Sequence, residues 1–284
     1  MKIAMQIARI SLIAATVAAL LFPPALLLLY SATEPKALER VLAAIHSPFA
    51  EHRLLRLKFN FLTYFQIATE SRKFAVAFLN SLNYSLITTL GQLLLATPAA
   101  IALAVLKFKA RYVIIPLYFI IMMMPFQVTM VPSFLTLYYF RMLDHPLAII
   151  VPQLFFPFSV ILLYLFIIQI PQELYEAANV DGAGTIRLVV HIVLPLIRHG
   201  VWSIGLLHFI DSWNMIEQPL VFLTSMDLLP LSILIRQSLE INAADIFVPA
   251  VLFMLPIIII YGIYHKFIVS GLQISIAGNQ RKGI

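Results

Sequence analysis

The sequence has no cysteine, 9 glycines, and charges on only 11% of its 284 residues. Without cysteine there is no disulfide framework, thiolate nucleophile or Cys-based metal site. Few glycines exclude a collagen-like chain, and an apolar content of 62% excludes intrinsic disorder. A soluble domain carries about 25% charged residues; a surface this poor in charge would not stay dissolved, and a bilayer is the solvent that fits. No long basic run accompanies the net charge of +6, so nucleic acid is not an expected partner; the charge reads as basic loops at a lipid surface.

Enzymatic signatures are missing too. No Gly-Lys dipeptide occurs, so no loop of the phosphate-cradling type is present. None of the 7 histidines precedes Glu, which excludes the His-Glu-x-x-His zinc arrangement, and no Gly-x-Ser-x-Gly elbow exists. The spacing of His191, His199 and His208 does not bring them together on one helical face. The chain is expected to be non-catalytic, with no catalytic and no metal-ligating residues.

What is abundant is long apolar runs. A helix crossing the hydrocarbon core needs about 20 of them in series. Ile10–Tyr30 is the first, too long for the apolar part of a signal peptide and read as a retained anchor. Phe74–Leu106, Tyr112–Phe140 (interrupted by Pro116, Pro125 and Pro132) and Pro146–Ile170 come next, without a charge that disqualifies them. His199–Leu223, which carries Asp211 and Glu217, and Phe247–Tyr264 complete the set. The expected fold is an all-α integral membrane protein of six transmembrane helices, organised as an anchor with a polar outer segment (1–73) and a core of five helices (74–284).

An even number of spans puts both termini on one side, with loops 107–111 and 171–198. That side gathers Lys2, Arg9, Lys107, Lys109, Arg111, Arg187, Arg198, Lys266, Arg281 and Lys282, which makes it cytoplasmic by the positive-inside bias. Segment 31–73, with Lys36, Arg40, Arg53, Arg56, Lys58, Arg72 and Lys73, argues the other way. It is expected to form short amphipathic helices, at Ala37–Ile45 and around Arg53–Thr63, on the outer face.

Between the fourth and fifth spans lies a patterned loop. Pro171 opens a short helix, where its missing N–H costs nothing. Glu173 sits in the first turn, favoured by the helix dipole, and Gly182 and Gly184 end the helix. Thr185 can cap a second helix finishing near Pro195. Ala177 and Ala178 leave a bare stripe on which another protein could approach closely.

Glu176-Ala177-Ala178, then Gly182, then Ile192-x-Leu194-Pro195 resemble the EAA loop of ATP-binding-cassette importer permeases. The Asp181-Gly182-Ala183 extension resembles the carbohydrate branch, in particular the smaller permease of maltose- and glycerol-phosphate-type systems. Phe78-Leu79-Asn80-Ser81, Met124-Pro125, Ile170-Pro171, Trp213-Asn214 and Ser270-Gly271-Leu272 agree with that subunit. The resemblance runs from about residue 74 to the C-terminus. It implies that the loop is a cytoplasmic coupling helix docking on an ATPase, with Glu173, Leu174, Glu176, Ala177, Ala178, Asp181, Gly182, Ile192, Leu194 and Pro195 at or behind that joint. It further implies a second homologous permease, two ATPase copies that bind ATP and Mg, a soluble extracellular or periplasmic binding protein, and residence in a bacterial inner membrane. No cofactor is expected in this chain.

Charges inside a span are expensive and face a cavity or a partner. Asp211, Trp213, Asn214 and Glu217 are therefore candidates for a polar solute path, with Trp213 as a sugar-stacking surface and a broken helix between the acids. Helix-to-helix hydrogen bonding with an interfacial Trp reads equally well. Gln127 and Thr129 are further candidates, with buried polar packing as the alternative. An intramembrane enzyme using Asp211, Glu217 and His208, or a secondary carrier, are the rival classes; no inverted repeat supports the carrier. The absence of Lys or Arg in the centres of spans two to six leans toward a neutral glycan over a phosphorylated cargo.

Overall fold

The computed structural model describes residues 2–34, 37–39, 60–106, 108–241 and 246–280. Among them the chain is helical, with no sheet. Four helical stretches are long and apolar enough to cross a membrane: Ala8–Ser31, Arg72–Val105, Leu147–Ile167 and Thr185–Trp213. A fifth is a broken pair, Arg111–Met122 and Phe126–Tyr139, bent by 101°. Phe247–Ile263 is apolar but shorter, at the start of a helix that continues to Gln280. The first, second and fourth expected spans lie where the sequence put them.

Two compact units divide the chain, one formed by Met1–Phe78 with Ile233–Pro256, the other by Leu79–Ser232 with Ile257–Ile284. In the first, α1 (Lys2–Ser31) leaves its apolar side chains exposed along its length, as a lipid-facing helix does. Its C-terminal end is tied down locally. Ser31 shares a hydroxyl hydrogen bond with Tyr64 of α2 (Leu62–Glu70), Asn60 donates its N–H to the Ala32 carbonyl at 2.7 Å, and the Tyr30 ring meets Phe247 edge-on at 5.4 Å. The expected amphipathic helices Ala37–Ile45 and Arg53–Thr63 fall mostly outside the described residues.

The second unit holds the main core. Ala96, Ala100, Ile101 and Leu103 of α3 (Arg72–Val105) pack with Val160, Leu163 and Ile167 of the fourth span and with Val193, Ile197 and Ile204 of the fifth. The third expected span is corrected by the structure: α4 (Arg111–Met122) stops, and α5 (Phe126–Tyr139) restarts at a sharp angle. Pro125 takes an extended backbone at the break (φ −68°, ψ 149°), where a residue without N–H loses nothing. Pro116 and Pro132 ride inside the two helices. The fourth span comprises α6 (Leu147–Leu154) and α7 (Pro157–Ile167).

The fifth span is also corrected: it begins at Thr185 and ends at Trp213, not at His199 and Leu223. After the one-turn α9 (Thr185–Leu188) the backbone widens into a π turn at Val189–Val193 and runs on as α10 (Leu194–Trp213). Proline in an α-helix clashes with the carbonyl four residues back, here that of His191. The π turn makes room there, so Pro195 lies within a continuing helix instead of ending one. Beyond Trp213 come a short α11 (Glu217–Phe222), α12 (Leu231–Ile241) and α13 (Phe247–Gln280).

Candidate functional site

Two places carry the residues singled out by sequence. The first is the elbow. Pro171 is the N-cap of α8 (Gln172–Val180), with Glu173 in the first turn. The helix stops in a Schellman motif. Ala183 donates its N–H to the Ala178 carbonyl at 2.9 Å, Gly182 donates to Asn179 at 3.1 Å, and Gly182 sits at φ +70°. That left-handed geometry costs an L-residue energy and glycine nothing, which is the reason for a glycine at this position. Gly184, with φ −67°, is the N-cap of the next helix, and Thr185 makes no capping bond, so the expected Thr185 cap is not formed.

The elbow has an inner and an outer side. Ala178 is 5% exposed and packs in the core with Leu188 and Val193; Tyr175, Ala183, Ile192 and Leu194 rest against that core. Burial pushes the Tyr175 phenol above its ordinary pKa. The expected bare stripe is thereby corrected: Ala178 is turned into its own chain, and Ala177 alone of the pair faces outward. Glu173, Leu174, Glu176, Asp181 and Pro195 are exposed, and so are Val180 (88%) and Ile186 (81%). Glu176 accepts a hydrogen bond from the Gln172 amide at 3.0 Å along the helix. The outer surface of the elbow thus mixes three carboxylates with large aliphatic side chains.

The second place is the break after the fifth span, at residues 214–225. Asn214 turns its amide back on the Ile210 carbonyl at 2.7 Å and closes the helix. Side chains from four other elements hold the chain beyond that point. Gln127 of α5 donates to Glu217 at 2.9 Å, Gln153 of α6 donates to Gln218 at 2.7 Å, and Ser232 of α12 donates to the Met215 carbonyl. The Asp144 carboxylate, in the loop between α5 and α6, accepts the N–H of Thr224 at 2.9 Å, that of Ser225 at 2.8 Å, and the Ser225 hydroxyl. These bonds hold the Asp144 carboxyl well below the usual carboxylate range.

Gln127 and Glu217 are brought together and both are exposed, and Asp211 is exposed on α10. Trp213 is corrected: it is fully buried and stacked on Phe209 at 5.8 Å, so it offers no surface for a sugar ring. Thr129 bonds its own helix, at the Phe126 carbonyl, 3.0 Å away. Asp144, Gln153 and Gln218 were not singled out from the sequence. Asp144 is a lone acid whose partners lie 80 and 81 residues away, which no local pattern reveals. Among the described residues no cluster of His, Asp and Glu could hold a metal ion.

Residues 96–274 match the family described as the binding-protein-dependent transport system inner membrane component. The chain belongs to that family. The match takes in the elbow, the π turn and the clamped break. Over 200 residues the permease is 30% identical to the arabinooligosaccharides transport system permease protein AraQ of Bacillus subtilis, covering 69% of this chain and 71% of that protein. Over 162 residues it is 30% identical to the sn-glycerol-3-phosphate transport system permease protein UgpE of Shigella flexneri, 57% of this chain and 58% of that one. A solved bacterial ABC transporter involved in the import of the acidic polysaccharide alginate contains a chain with the same fold. Its TM-score is 0.77 at 21% identity, over 93% of this permease and 96% of that chain. These relatives are transport permeases, and the chain is a membrane-embedded component of that kind.

Proposed function

We propose that this permease is one half of the membrane pore of an ATP-binding-cassette importer for a sugar or oligosaccharide, and that α8 is its coupling helix. The observation that carries the reading is the two-sidedness of the elbow. Its inner side is anchored through Ala178 and Tyr175 to the core shared by the second, fourth and fifth spans, while its outer side leaves Glu173, Glu176, Val180 and Ile186 exposed. A push on that outer side is delivered straight to three membrane helices, because a close-packed core transmits displacement instead of absorbing it. The continuous path from Thr185 through the π turn to Trp213 makes the fifth span an extension of the elbow.

The remaining assembly comes with that reading: a second homologous permease, two ATPase copies that bind ATP and Mg, and a soluble binding protein at the other end of the spans. Both termini and the elbow then face the cytoplasm of a bacterial cell. The bent pair α4–α5 serves as the third span and α13 as the sixth. Asp211, Asn214, Glu217 and Gln127 line the polar end of the solute path, with Trp213 as buried support behind them. For cargo, the AraQ likeness favours a glycan. A phosphate dianion would need cationic partners; spans two, three, four and six offer none at their centres, while the fifth carries an exposed Arg198 near its middle. A glycerol-phosphate-like solute is the second reading, supported by the UgpE likeness.

The test is the whole importer in proteoliposomes, with ATP hydrolysis and uptake of labelled arabinotriose and labelled glycerol 3-phosphate measured together. Glu176→Lys reverses a charge on the exposed face without touching the core, so the variant is expected to assemble and hydrolyse ATP with uptake reduced or lost. Wild-type uptake by the variant, with the ATPase bound normally, would overturn the reading.

A further inference from the structure

The second span carries its polarity on the inside. Ser81, Ser85, Thr88 and Gln92 recur at the three-to-four-residue spacing of one helix face, and each is at most 1% exposed. Leu86, Ile87, Leu90, Leu94 and Leu95, on the other faces of the same helix, are exposed. In lipid this is the arrangement of a helix whose polar stripe meets protein or water.

Part of the stripe is occupied by contacts within the chain. Ser81 accepts the Leu231 N–H at 2.8 Å, and the Thr88 and Ser212 hydroxyls bond at 2.9 Å. Leu93, further along α3, lies against Gly205, earlier on α10, so the two helices run antiparallel. In that register Gln92, one turn past Thr88, comes to the level of His208, one turn before Ser212. The Phe156 ring, 5.1 Å from that of His208, brings the start of α7 to the same level, with Ser159 one turn on.

Here the pairing stops. Both amide atoms of Gln92, both ring nitrogens of His208, and the hydroxyls of Ser85, Thr89 and Ser159 have no hydrogen-bond partner among the described residues. Gln92 is 0% exposed, Ser85 0%, Ser159 1% and His208 2%. Direct bonding between these helices therefore does not account for the groups, and left without any partner each would bear the full desolvation penalty of a buried polar atom. The set mixes donors and acceptors and contains no fixed charge; the acid closest in sequence, Asp211, is exposed. An ion lacks a counter-charge here, and side chains this deeply enclosed admit nothing the size of a sugar. Water both donates and accepts, and buried water characteristically bonds to about three such groups.

We propose that Gln92 and His208, with Thr89 and Ser159 around them, form an internal hydration site between the second, fourth and fifth spans. Its ligand is water, held by side chains of three helices and out of contact with the solute. At this level water, and not a direct side-chain bond, joins α3 to α10, in contrast to the Thr88–Ser212 pair one turn away. It stands whether the cargo is a glycan or a phosphorylated solute.

Radiolytic labelling reads this without an activity assay. The assembled importer in nanodiscs is mixed rapidly into oxygen-18 water, pulsed with X-rays, and oxidation is quantified by mass spectrometry. Radicals born from bound water label the side chains beside it. His208 is expected to be oxidised several-fold more than Phe222, which is equally buried at 1% exposure. In Gln92→Leu, which removes one arm of the site, labelling at His208 is expected to fall. Labelling of wild-type His208 no higher than Phe222 would overturn the proposal, and that result needs no variant to fold. Undiminished labelling in a folded Gln92→Leu protein would equally overturn a site shared by the two residues.

Discussion

Gly182 gives the sharpest test of the elbow, because its substitution isolates one term. A Cβ added there meets nothing within 4 Å, so no clash confuses the result. What remains is the left-handed backbone at φ +70°, which costs an ordinary L-residue about 1–2 kcal/mol. That cost falls on the Schellman turn alone and lowers the bent form against unbent alternatives by a factor of about 5–30. Asn tolerates left-handed geometry, Ala does not, and a β-branched residue does so least. The expected order of ATP-driven uptake in proteoliposomes is therefore Gly182, then Gly182→Asn, Gly182→Ala and Gly182→Val. Membrane level should be preserved, since an added side chain at the exposed Gly182 meets none of the chain's own atoms. Hydrogen exchange at the Gly182 and Ala183 amides, whose bonds close the turn, should accelerate in the same order. Equal uptake by the Asn, Ala and Val variants would refute the claim that this turn sets the geometry of force transfer.

Two further outcomes rest on contacts elsewhere. Asp144→Ala removes the acceptor of the Thr224 and Ser225 amides and should speed hydrogen exchange at both; unchanged exchange would contradict the clamp. Because the carboxyl titrates below its ordinary range, its contribution is present above the unfolded carboxylate pKa of about 3.9. It is lost only as pH falls through the depressed folded value, so the wild-type clamp should persist at mildly acidic pH. In the packing of the fifth span on the fourth, a Cβ at Gly200 would lie 3.0–3.3 Å from three atoms of the Phe166 ring. Alanine gains about 1 kcal/mol over glycine inside a helix, and the Phe166 ring, 37% exposed, has room to give, so the Tm of Gly200→Ala in detergent should move by at most about 4 °C; a larger fall would show that the ring is held fast.

The spans were legible because hydropathy accumulates along the chain: Ile10–Tyr30 and Phe74–Leu106 lie within a few residues of Ala8–Ser31 and Arg72–Val105. Which proline breaks a helix was not. Pro116, Pro125 and Pro132 share one apolar run, and only at Pro125 does the chain turn, which depends on what each segment packs against. Pro195 misled for a related reason, since a π turn formed by Val189–Val193 lets the helix pass it. The Glu-Ala-Ala and Gly182 spacing located the elbow, yet only packing decides that Ala178 points inward and Ala177 outward. The stripe of Ser81, Ser85, Thr88 and Gln92 stood in plain periodicity, but an uncharged run draws attention to its length before its faces.

The central claim is that the outer face of α8 is gripped by an ATPase encoded on another chain. The native sequence has no cysteine, so Ala177→Cys introduces a single reactive thiol without further changes. A bifunctional crosslinker applied to the assembled importer should join Cys-substituted position 177 to the ATPase subunit, with a yield that changes when ATP is added. Absence of that product, with the thiol labelled instead by a membrane-impermeant reagent from outside intact cells, would contradict the account.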